Sequence, residues 1–386
     1  MRDRVPVAWL QLSRDKLRLL VGVAGVALAV ILVFMQLGFR TAVYRSATRY
    51  HRALDYDLVL LSPKTPFIGF PREFSRRRLF QALGFTGVAS VSPVYMQQAN
   101  WKNPWKHNVR NIVVVGVDPA RRSFRLDAIV SQREWLQRED TLLFDSHARP
   151  EYGPVARELA SGRAKLAVEV NDRHVEVAGL FALGTSFGID GSLVTSDLNF
   201  MRLFPGHSEA RIHLGLIQLE PGADADQLRD VLDAALEDDV LVLTRAQWME
   251  REVAFWSSTT PTGFVFGFGA IMGLVVGSVI VYQILFADVS QHLREYATLK
   301  AMGYSNHYLS GIVLQEAAWL AALGYLPGIA VTLGLYRVTA QATRLPLELT
   351  PALALGVLVL TAGMCGCAGV IALRKVRSAD PAEVFG

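Results

Sequence analysis

The chain has 386 residues, and its composition is 51% hydrophobic but only 19% charged, against about 25% charged in an average globular protein. The deficit is confined to four segments without Asp, Glu, Lys or Arg, which total 92 residues: 19–39, 262–287, 317–336 and 349–373. The 74 charged side chains therefore lie on the other 294 residues, at a globular density of 25%. This pattern excludes a wholly soluble or disordered chain and predicts four membrane spans, each close to the ~20 apolar residues that a bilayer requires.

The first apolar segment, 19–39, predicts a membrane span rather than a cleaved secretory signal. Its 21 residues exceed the roughly 7–15 of a signal-peptide core, and it leads into Arg40 rather than a small-residue cleavage site. The preceding residues, 1–18, have a net charge of +3, which favours the cytoplasmic side. Charge alone orients the spans weakly, because arginines also follow the first span: Arg40, Arg45, Arg49 and Arg52.

Residues 40–261 form a large domain between the first and second spans. They carry 27 basic and 27 acidic side chains, a neutral balance that gives no electrostatic footprint for nucleic acid. Residues 40–52 lack Gly and Pro and predict a continuation of the first helix, and Thr244 predicts the N-cap of a helix over 245–256. Further elements are predicted between them: a helix over 224–236 and strands over 57–61, 112–117, 165–170, 174–180, 193–195, 212–219 and 240–243. The domain is therefore predicted to be mixed α+β, with helical stalks at both ends.

Motifs for nucleotide binding or catalysis are weak in this domain. The sequence has no P-loop, since it lacks even a Gly-Lys dipeptide. The pattern Gly-x-Ser-x-Gly occurs at 184–188, with Ser186 as the potential nucleophile of a hydrolase. A nucleophile elbow needs a helix after the serine, whereas 189–192 predicts a turn and 193–195 a strand. A loop serine is favoured, and a membrane-anchored hydrolase that uses Ser186 is kept as an alternative.

Three further features have both a functional and a structural interpretation. The arginines at 76–78 could bind anionic lipid head groups, although a solvated face is favoured. The segment 95–107 carries Tyr95, Trp101 and Trp105 among turn residues, which could anchor a partner or form a loop folded onto its own domain. Cys365 and Cys367 lie inside the fourth span, where small buried side chains are favoured over a metal site.

The second span contains glycines at a helical spacing. Gly269, Gly273 and Gly277 lie at i, i+4 and i+8 and share one face, which predicts close packing against a helix that the sequence does not identify. Glu316, at the border of the third span, is predicted to face protein or the interface, because a carboxylate in lipid is costly.

The segment 288–309, between the second and third spans, predicts a short amphipathic helix. Residues at a helical spacing give it one apolar face: Val289, Leu293, Tyr296 and the aliphatic part of Lys300. Gly303 can end this helix with a positive φ, and Ser305 can cap the next one. By physical chemistry alone, the helix could lie in the lipid interface or dock on a protein partner.

A family resemblance is specific in this half of the chain. The sequence EYATLKAMGYS at 295–305, followed by Gln-Glu-Ala at 315–317, resembles the signature of FtsX/MacB-type ABC transporter permeases. The segment RKVRSADPAEVFG at 374–386 is similar to that family's Asp-Pro-Ala-Glu ending. Within the family, residues 259–304 are most similar to the DevC-type permeases of DevBCA-type exporters. The resemblance follows the whole chain in order and is weaker over 40–255.

The resemblance implies a multi-pass permease of the bacterial inner membrane, with the large domain in the periplasm and the termini in the cytoplasm. It implies a mechanotransmission subunit that is not itself an enzyme and binds no cofactor directly, since ATP and Mg²⁺ are held by a separate ABC ATPase. That ATPase would contact the chain at four residues: Leu293, Glu295, Lys300 and Gly303. The other implied partners are membrane lipid, a second permease copy, an HlyD-like membrane-fusion adaptor and a TolC-like outer-membrane channel. The expected cargo is a glycolipid, lipid-like or other hydrophobic molecule.

The predicted fold is an α-helical membrane protein with four transmembrane helices and a mixed α+β extracytoplasmic domain between the first and second. Its predicted order is a cytoplasmic segment 1–18, a span 19–39, a periplasmic domain 40–261, a span 262–287, a cytoplasmic coupling helix 288–309, a span 310–336, a periplasmic loop 337–348, a span 349–373 and a cytoplasmic tail 374–386. Two alternatives share this fold. One is an FtsX-like transducer that activates a cell-wall hydrolase, against which the 222-residue size of the domain counts. The other is a Lol-like lipoprotein-releasing permease.

Overall fold

The computed structural model describes residues 7–161 and 165–378 of the chain. These residues divide into two compact units. The membrane unit contains the residues up to Ala42, Pro261–Thr343 and the residues from Leu347 onward. The sheet domain contains Val43–Thr260 and Arg344–Pro346. The predicted Asp-Pro-Ala-Glu ending, at 380–383, lies outside the described residues.

The described residues form fourteen α-helices and eleven strands. The helices are α1 (Val7–Arg14), α2 (Lys16–Ala47), α3 (Arg49–Ala53), α4 (Arg76–Ala82), α5 (Asp127–Ser131), α6 (Arg133–Leu136), α7 (Val155–Ala160), α8 (Asp197–Leu203), α9 (Ala225–Ala235), α10 (Arg245–Ala254), α11 (Pro261–Gln291), α12 (Leu293–Ala301), α13 (Asn306–Thr343) and α14 (Pro351–Ser378). The strands are β1 (Leu58–Leu61), β2 (Phe74–Ser75), β3 (Val88–Lys102), β4 (Val109–Val117), β5 (Thr141–Asp145), β6 (Leu166–Val170), β7 (Arg173–Phe181), β8 (Ser192–Ser196), β9 (Arg211–Ile212), β10 (Leu214–Leu219) and β11 (Leu241–Thr244). A short 3₁₀ helix lies at Pro150–Tyr152, and a π-helical turn lies at Phe255–Thr259.

Four helices are long and apolar enough to cross a membrane: α2, α11, α13 and α14. The four predicted spans lie within them, apart from two residues at the start of the fourth, where the helix begins at Pro351. Proline is favoured at a first helical position because its missing N–H has no intrahelical partner there. The four helices surround one apolar core, with members from each helix: Val30, Phe34, Val281, Leu285, Leu320 and Val357.

Three predicted helices differ from the structure at their ends. The continuation of the first helix over 40–52 is interrupted at Thr48, whose hydroxyl donates to the carbonyl of Tyr44 at 3.1 Å. The helix over 245–256 ends at Ala254, where a π-helical turn follows. The helix over 288–309 is confined to α12, because α11 runs on to Gln291 and α13 already begins at Asn306.

The sheet domain is organised by a nine-stranded sheet in the order β11-β1-β10-β3-β4-β8-β5-β7-β6. The 15-residue strand β3 connects its parts, because its first half pairs with β10 and its second half pairs with β4. The last strand, β6, returns to the end of β3, where Trp101 is in register with Val170. The sheet therefore closes into a ring of six strands, which follow one another in the order β3, β4, β8, β5, β7 and β6. A small second sheet pairs β2 with β9.

Two apolar cores cover opposite faces of the main sheet, because side chains alternate along each strand. In β1, Leu58 and Leu60 belong to one core, and Val59 and Leu61 belong to the other. The prediction of a mixed α+β domain is confirmed. The predicted helix starts also match, since Asp224 caps α9 and Thr244 forms a capping box with Gln247 of α10.

The structure corrects the interpretation of 95–107 as a loop. Tyr95 and Trp101 lie in β3 and are fully buried, and only Trp105 of the three aromatic residues is exposed. The arginines at 76–78 begin α4, and the guanidinium of Arg78 pairs with Glu237 and with Asp239 at 2.9 Å. Arg78 is therefore held by its own domain.

Candidate functional site

The connection between the second and third spans holds the predicted coupling residues. Its helix, α12, buries one face, and Tyr296 and Ala297 are almost fully enclosed. Tyr296 packs in a small apolar cluster with residues of α1, α11, α13 and α14: Ala8, Val289, Leu309, Ile312, Val313 and Leu373. One face of α12 is thus anchored to the membrane unit.

The end of α12 is fixed by backbone hydrogen bonds. The N–H of Tyr304 donates to the carbonyl of Leu299 at 3.1 Å, and the N–H of Gly303 donates to Lys300 at 3.0 Å. This pair of bonds is a Schellman motif, which requires a residue with positive φ, and Gly303 has φ +90°. The next helix is capped by Ser305, whose Oγ accepts from the N–H of Tyr308 at 3.4 Å. The turn between α12 and α13 therefore has a defined shape.

The other predicted coupling residues differ in how far they are buried. Leu293 and Lys300 are half-buried, whereas Glu295 is exposed and accepts a hydrogen bond from Nε2 of Gln11 in α1 at 3.4 Å. The helix α1 before the first span was not predicted, and it adds a contact to this region.

The most exposed part of the connection is the turn itself. Every residue from 301 to 308 is exposed, and Met302 is 63% exposed. The rings of Tyr304 and Tyr308 contact each other, with centroids 4.9 Å apart. Met302, Tyr304 and Tyr308 form an apolar and aromatic patch that is called the turn surface below. Gly303 was predicted to contribute to the site, but its three neighbours were not, although two tyrosines close to a helix-ending glycine are a visible signal in the sequence.

The glycines of the second span face the first span of the same chain. A methyl group on Gly273 would lie 3.2 Å from Cβ of Leu32, and one on Gly277 would lie 2.6 Å from Cβ of Ala29, besides a contact with the flexible side chain of Met364 in α14. A methyl group on Gly269 would lie 2.5 Å from Cδ of Gln36. All three positions are on α11, and Ala29, Leu32 and Gln36 are all on α2. The absence of side chains therefore lets these two helices approach closely.

A second glycine face was missed by the sequence analysis. Gly324 and Gly328 of α13 also lie against α2, where added methyl groups would come within 2.5 Å of Cβ of Val26 and 2.7 Å of Cγ1 of Val30. The Gly-x-x-x-Gly spacing of these two residues is the signal that could have identified them. The first span is thus one common neighbour of the second and third, and α14 is another.

Ser186 does not have the surroundings of a nucleophile elbow. Its N–H donates to the carbonyl of Ile189 at 2.8 Å, and the N–H of Ile189 donates back at 3.1 Å, which closes a tight turn. The next regular element is the strand β8 rather than a helix. The structure therefore supports the interpretation of Ser186 as a loop serine.

One cluster in the sheet domain has metal-ligating side chains, namely Glu73, His207 and His213, with ligand atoms within 4.8 Å of one another. The hydrogen bonds argue against a metal site. Nδ1 of His213 accepts from the N–H of Met96 at 3.1 Å, so the proton of the neutral ring occupies the other nitrogen. Burial lowers the pKa of His213 to about 4, so this ring is neutral near pH 7. His207 contacts Glu73 through Nδ1 at 2.9 Å and the carbonyl of Arg211 through Nε2 at 2.9 Å.

A buried acid lies where α3 and α10 meet. Glu252 accepts from the N–H of Ile68 and from Nε1 of Trp256, each at 3.0 Å. Burial raises its pKa to about 7, even though both hydrogen bonds favour the ionised form. His51 lies 3.6 Å from this carboxyl and packs on the ring of Trp248. Burial, together with the nearby arginines Arg52 and Arg245, lowers the pKa of His51 to about 3.

Two family models match the chain. The model of the MacB-like periplasmic core domain matches residues 20–235, which is more than half of the chain, and the model of the FtsX-like permease C-terminal region matches residues 267–381. No curated protein matches the sequence.

Among solved structures, two similar ones are extracytoplasmic domains. The periplasmic region of MacB from Actinobacillus actinomycetemcomitans is 10% identical with a TM-score of 0.35, and the match covers 50% of this chain and 91% of that one. The extracellular domain of the noncanonic ABC-type transporter YknZ from Gram-positive bacteria is 12% identical with a TM-score of 0.31, and the match covers 49% of this chain and all of that one. These similarities are distant, and the assignment to a family depends on the two models.

Proposed function

The chain belongs to the MacB/FtsX-like family of ABC transporter permeases, and we propose that it is the permease subunit of an exporter whose movements are driven by a separate ATPase. The family assignment makes it a multi-pass protein of the inner membrane with its sheet domain in the periplasm. With four spans, the connection that contains α12 then lies on the cytoplasmic side.

The observation that supports the proposal is the contrast between α12 and the turn that follows it. Its inner face is anchored by Tyr296, while the turn surface that follows is exposed. A helix that only covered lipid would present its apolar residues continuously along one side. Here the exposed apolar residues are concentrated in a turn of fixed shape, as expected for a surface that fits into a groove of a protein partner. We assign this groove to the cytoplasmic ATPase.

The packing of α12 explains how a movement of the ATPase would reach the spans. The cluster around Tyr296 contains Val289 of α11 and Leu309 of α13, so a displacement of α12 moves the ends of both helices. Both helices then pack against α2 through glycines, at a distance that leaves little space for independent sliding. The three spans are expected to respond together.

The resemblance of residues 259–304 to DevC-type permeases supports a finer proposal. The chain would work as a homodimer with an HlyD-like adaptor and a TolC-like outer-membrane channel, and its cargo would be a glycolipid or another hydrophobic molecule. ATP and Mg²⁺ would be bound by the ATPase subunit, and Leu293, Glu295, Lys300 and Gly303 would form or position the contact with it.

ATP hydrolysis by the purified complex of this permease and its ATPase tests the proposal. Gly303→Val should abolish stimulation of the ATPase by the permease, because a β-branched residue is strained at φ +90° and the turn surface would be displaced. Glu295→Lys should weaken stimulation, since it reverses a charge next to the contact. The isolated ATPase should keep its basal rate.

Gly311→Val is the matched control, because Gly311 lies in α13 with a helical backbone and nothing within 4 Å of an added methyl group. This variant should retain full stimulation. If stimulation survives both Gly303→Val and Glu295→Lys, the ATPase contact lies elsewhere and the proposal fails.

A further inference from the structure

Several ionisable side chains are buried in the membrane unit where α2, α11, α12 and α13 meet. Asp288 of α11 is 2% exposed and Glu316 of α13 is fully buried, and their carboxyl groups face each other. Tyr296 of α12, which is 1% exposed, lies near both carboxyl groups. Nη1 of Arg18 in α2 lies 3.5 Å from Oδ1 of Asp288. Glu316 was predicted to face protein or the interface, but its neighbours Asp288, Tyr296 and Arg18 were not predicted.

The charges around this site do not balance when both carboxyl groups are ionised. Arg18 is shared, since its Nη2 also lies 3.8 Å from Asp15. Nδ1 of His292 lies 3.6 Å from Oδ1 of Asp288, but it is closer, at 3.0 Å, to the backbone carbonyl of Asp288. A buried carboxylate without a cation is strongly destabilising even after the protein relaxes. Such a group avoids the cost by taking up a proton.

Hydrogen bonding leads to the same conclusion independently. Both carboxyl oxygens of Glu316, Oδ2 of Asp288 and the hydroxyl of Tyr296 are buried without a hydrogen-bond partner among the described residues. Two ionised carboxylates are acceptors only, so neither can satisfy the other. One proton on either carboxyl group supplies the donor that the pair lacks.

We propose that Asp288 and Glu316 bind one proton between them, and that this proton-binding site allows α12 to pack against α11 and α13. Arg18 then compensates the single remaining negative charge. The other charged groups nearby are Asp15 before α2, His292 between α11 and α12, and Glu295, which acts on Tyr296 from the exposed side of α12. The site belongs to the permease alone, and only its consequence for ATPase coupling depends on the function proposed above.

The test is infrared spectroscopy of the full-length permease in lipid nanodiscs without the ATPase, because a protonated carboxyl group absorbs separately from a carboxylate. The spectrum of the wild type minus that of Glu316→Gln at neutral pH should contain one protonated carboxyl band that shifts in D₂O. Asp288→Asn should remove the same band, because removing either carboxyl group removes the need for the proton. Glu250→Gln, at an exposed position of α10, is the matched control and should remove only carboxylate absorption.

A difference spectrum with carboxylate bands alone would show that both groups are ionised and would overturn the proposal. A dependence of thermal stability on Na⁺ or K⁺ that Glu316→Gln abolishes would also overturn it, in favour of a bound cation. If neither variant folds, the wild type is measured at about pH 8.5, where Glu252 with its pKa of about 7 is ionised. A protonated band that persists there supports the proposal, and its absence contradicts it.

Discussion

The two units of this protein reach close packing in opposite ways. The sheet domain is filled by large side chains, such as Trp101, Tyr152 and Phe200, which are fully buried against the strands. The membrane unit depends on missing side chains, since Gly277, Gly324 and other glycines let α11 and α13 lie against α2. The difference follows from the solvent. Water drives large apolar groups together, whereas lipid gives no such drive, and helices must gain their contact energy from a short distance.

The largest effect is expected from removing a large side chain in the sheet domain. Trp101 packs on Phe144 with ring centroids 5.3 Å apart and donates from Nε1 to the carbonyl of Tyr152 at 3.2 Å. Trp101→Ala should lower the free energy of unfolding of the domain by about 3–5 kcal/mol, since it leaves a cavity and an unpaired carbonyl. Amide hydrogen exchange in β3 of the full-length protein measures this loss.

Trp105→Ala is the control, because Trp105 follows β3 and is 38% exposed. Trp105→Ala should lower the free energy of unfolding of the domain much less than Trp101→Ala does. Equal exchange rates in the two variants would mean that filling by large side chains does not stabilise the ring of strands.

The opposite change, adding a side chain, should damage the membrane unit. Gly277→Leu places its Cβ within 2.6 Å of Ala29, whose Cβ cannot move without its backbone, so the helices must separate. Overpacking of this kind costs about 3 kcal/mol, and the thermal unfolding temperature of the protein in detergent should fall accordingly.

Gly267→Leu provides the comparison on the same helix, because nothing lies within 4 Å of a methyl group at that position. This variant should unfold at nearly the wild-type temperature. If Gly277→Leu and Gly267→Leu are equally stable, the close packing of the membrane unit does not depend on the missing side chain at Gly277.

The same contrast explains how much could be predicted from the sequence. Membrane spans and helix caps are local properties, so the four spans and the N-cap at Thr244 could be identified from adjacent residues. The strand β3 was missed because Pro93 and several polar residues interrupt its pattern, and because its pairing with β10, β4 and β6 joins distant parts of the chain. Such pairing overrides local propensity.

The candidate site shows the same limit. The spacing of Gly269, Gly273 and Gly277 identified a packing face, but the facing helix is more than 200 residues earlier in the sequence. The positive φ of Gly303 could be anticipated from its position after a helical pattern. The burial of Asp288 beside Glu316 and Arg18 could not, because three separate helices bring these residues together.

A smaller effect on stability, which depends on pH, is expected from the buried Glu252 of the sheet domain. The pKa of Glu252 is raised to about 7, so the folded state prefers the neutral acid and loses stability as pH rises from the unfolded pKa towards 7. The free energy of unfolding of Glu252→Gln should therefore rise relative to that of the wild type, and this difference should increase by about 2 kcal/mol between about pH 5.5 and about pH 7.5. Hydrogen exchange of the α10 amides measures the difference.

His51 acts in the opposite direction, because its pKa is lowered to about 3 and the folded state loses stability as pH falls below the ordinary histidine pKa. This contribution of His51 to stability is present in both the wild type and Glu252→Gln, so it largely cancels in the difference between their free energies of unfolding. A difference between Glu252→Gln and the wild type that does not change with pH would show that Glu252 is already ionised in the folded domain.

Photo-crosslinking in intact cells tests the central claim, that the turn surface of the membrane unit contacts the ATPase and the sheet domain does not. A photoreactive amino acid is placed at Tyr304, which is exposed on the turn surface, and separately at Leu198, which is 63% exposed on the sheet domain. We predict a crosslink from position 304 to the ATPase subunit and none from position 198. Crosslinks from position 304 to lipid alone, or to the ATPase from position 198, would contradict the account.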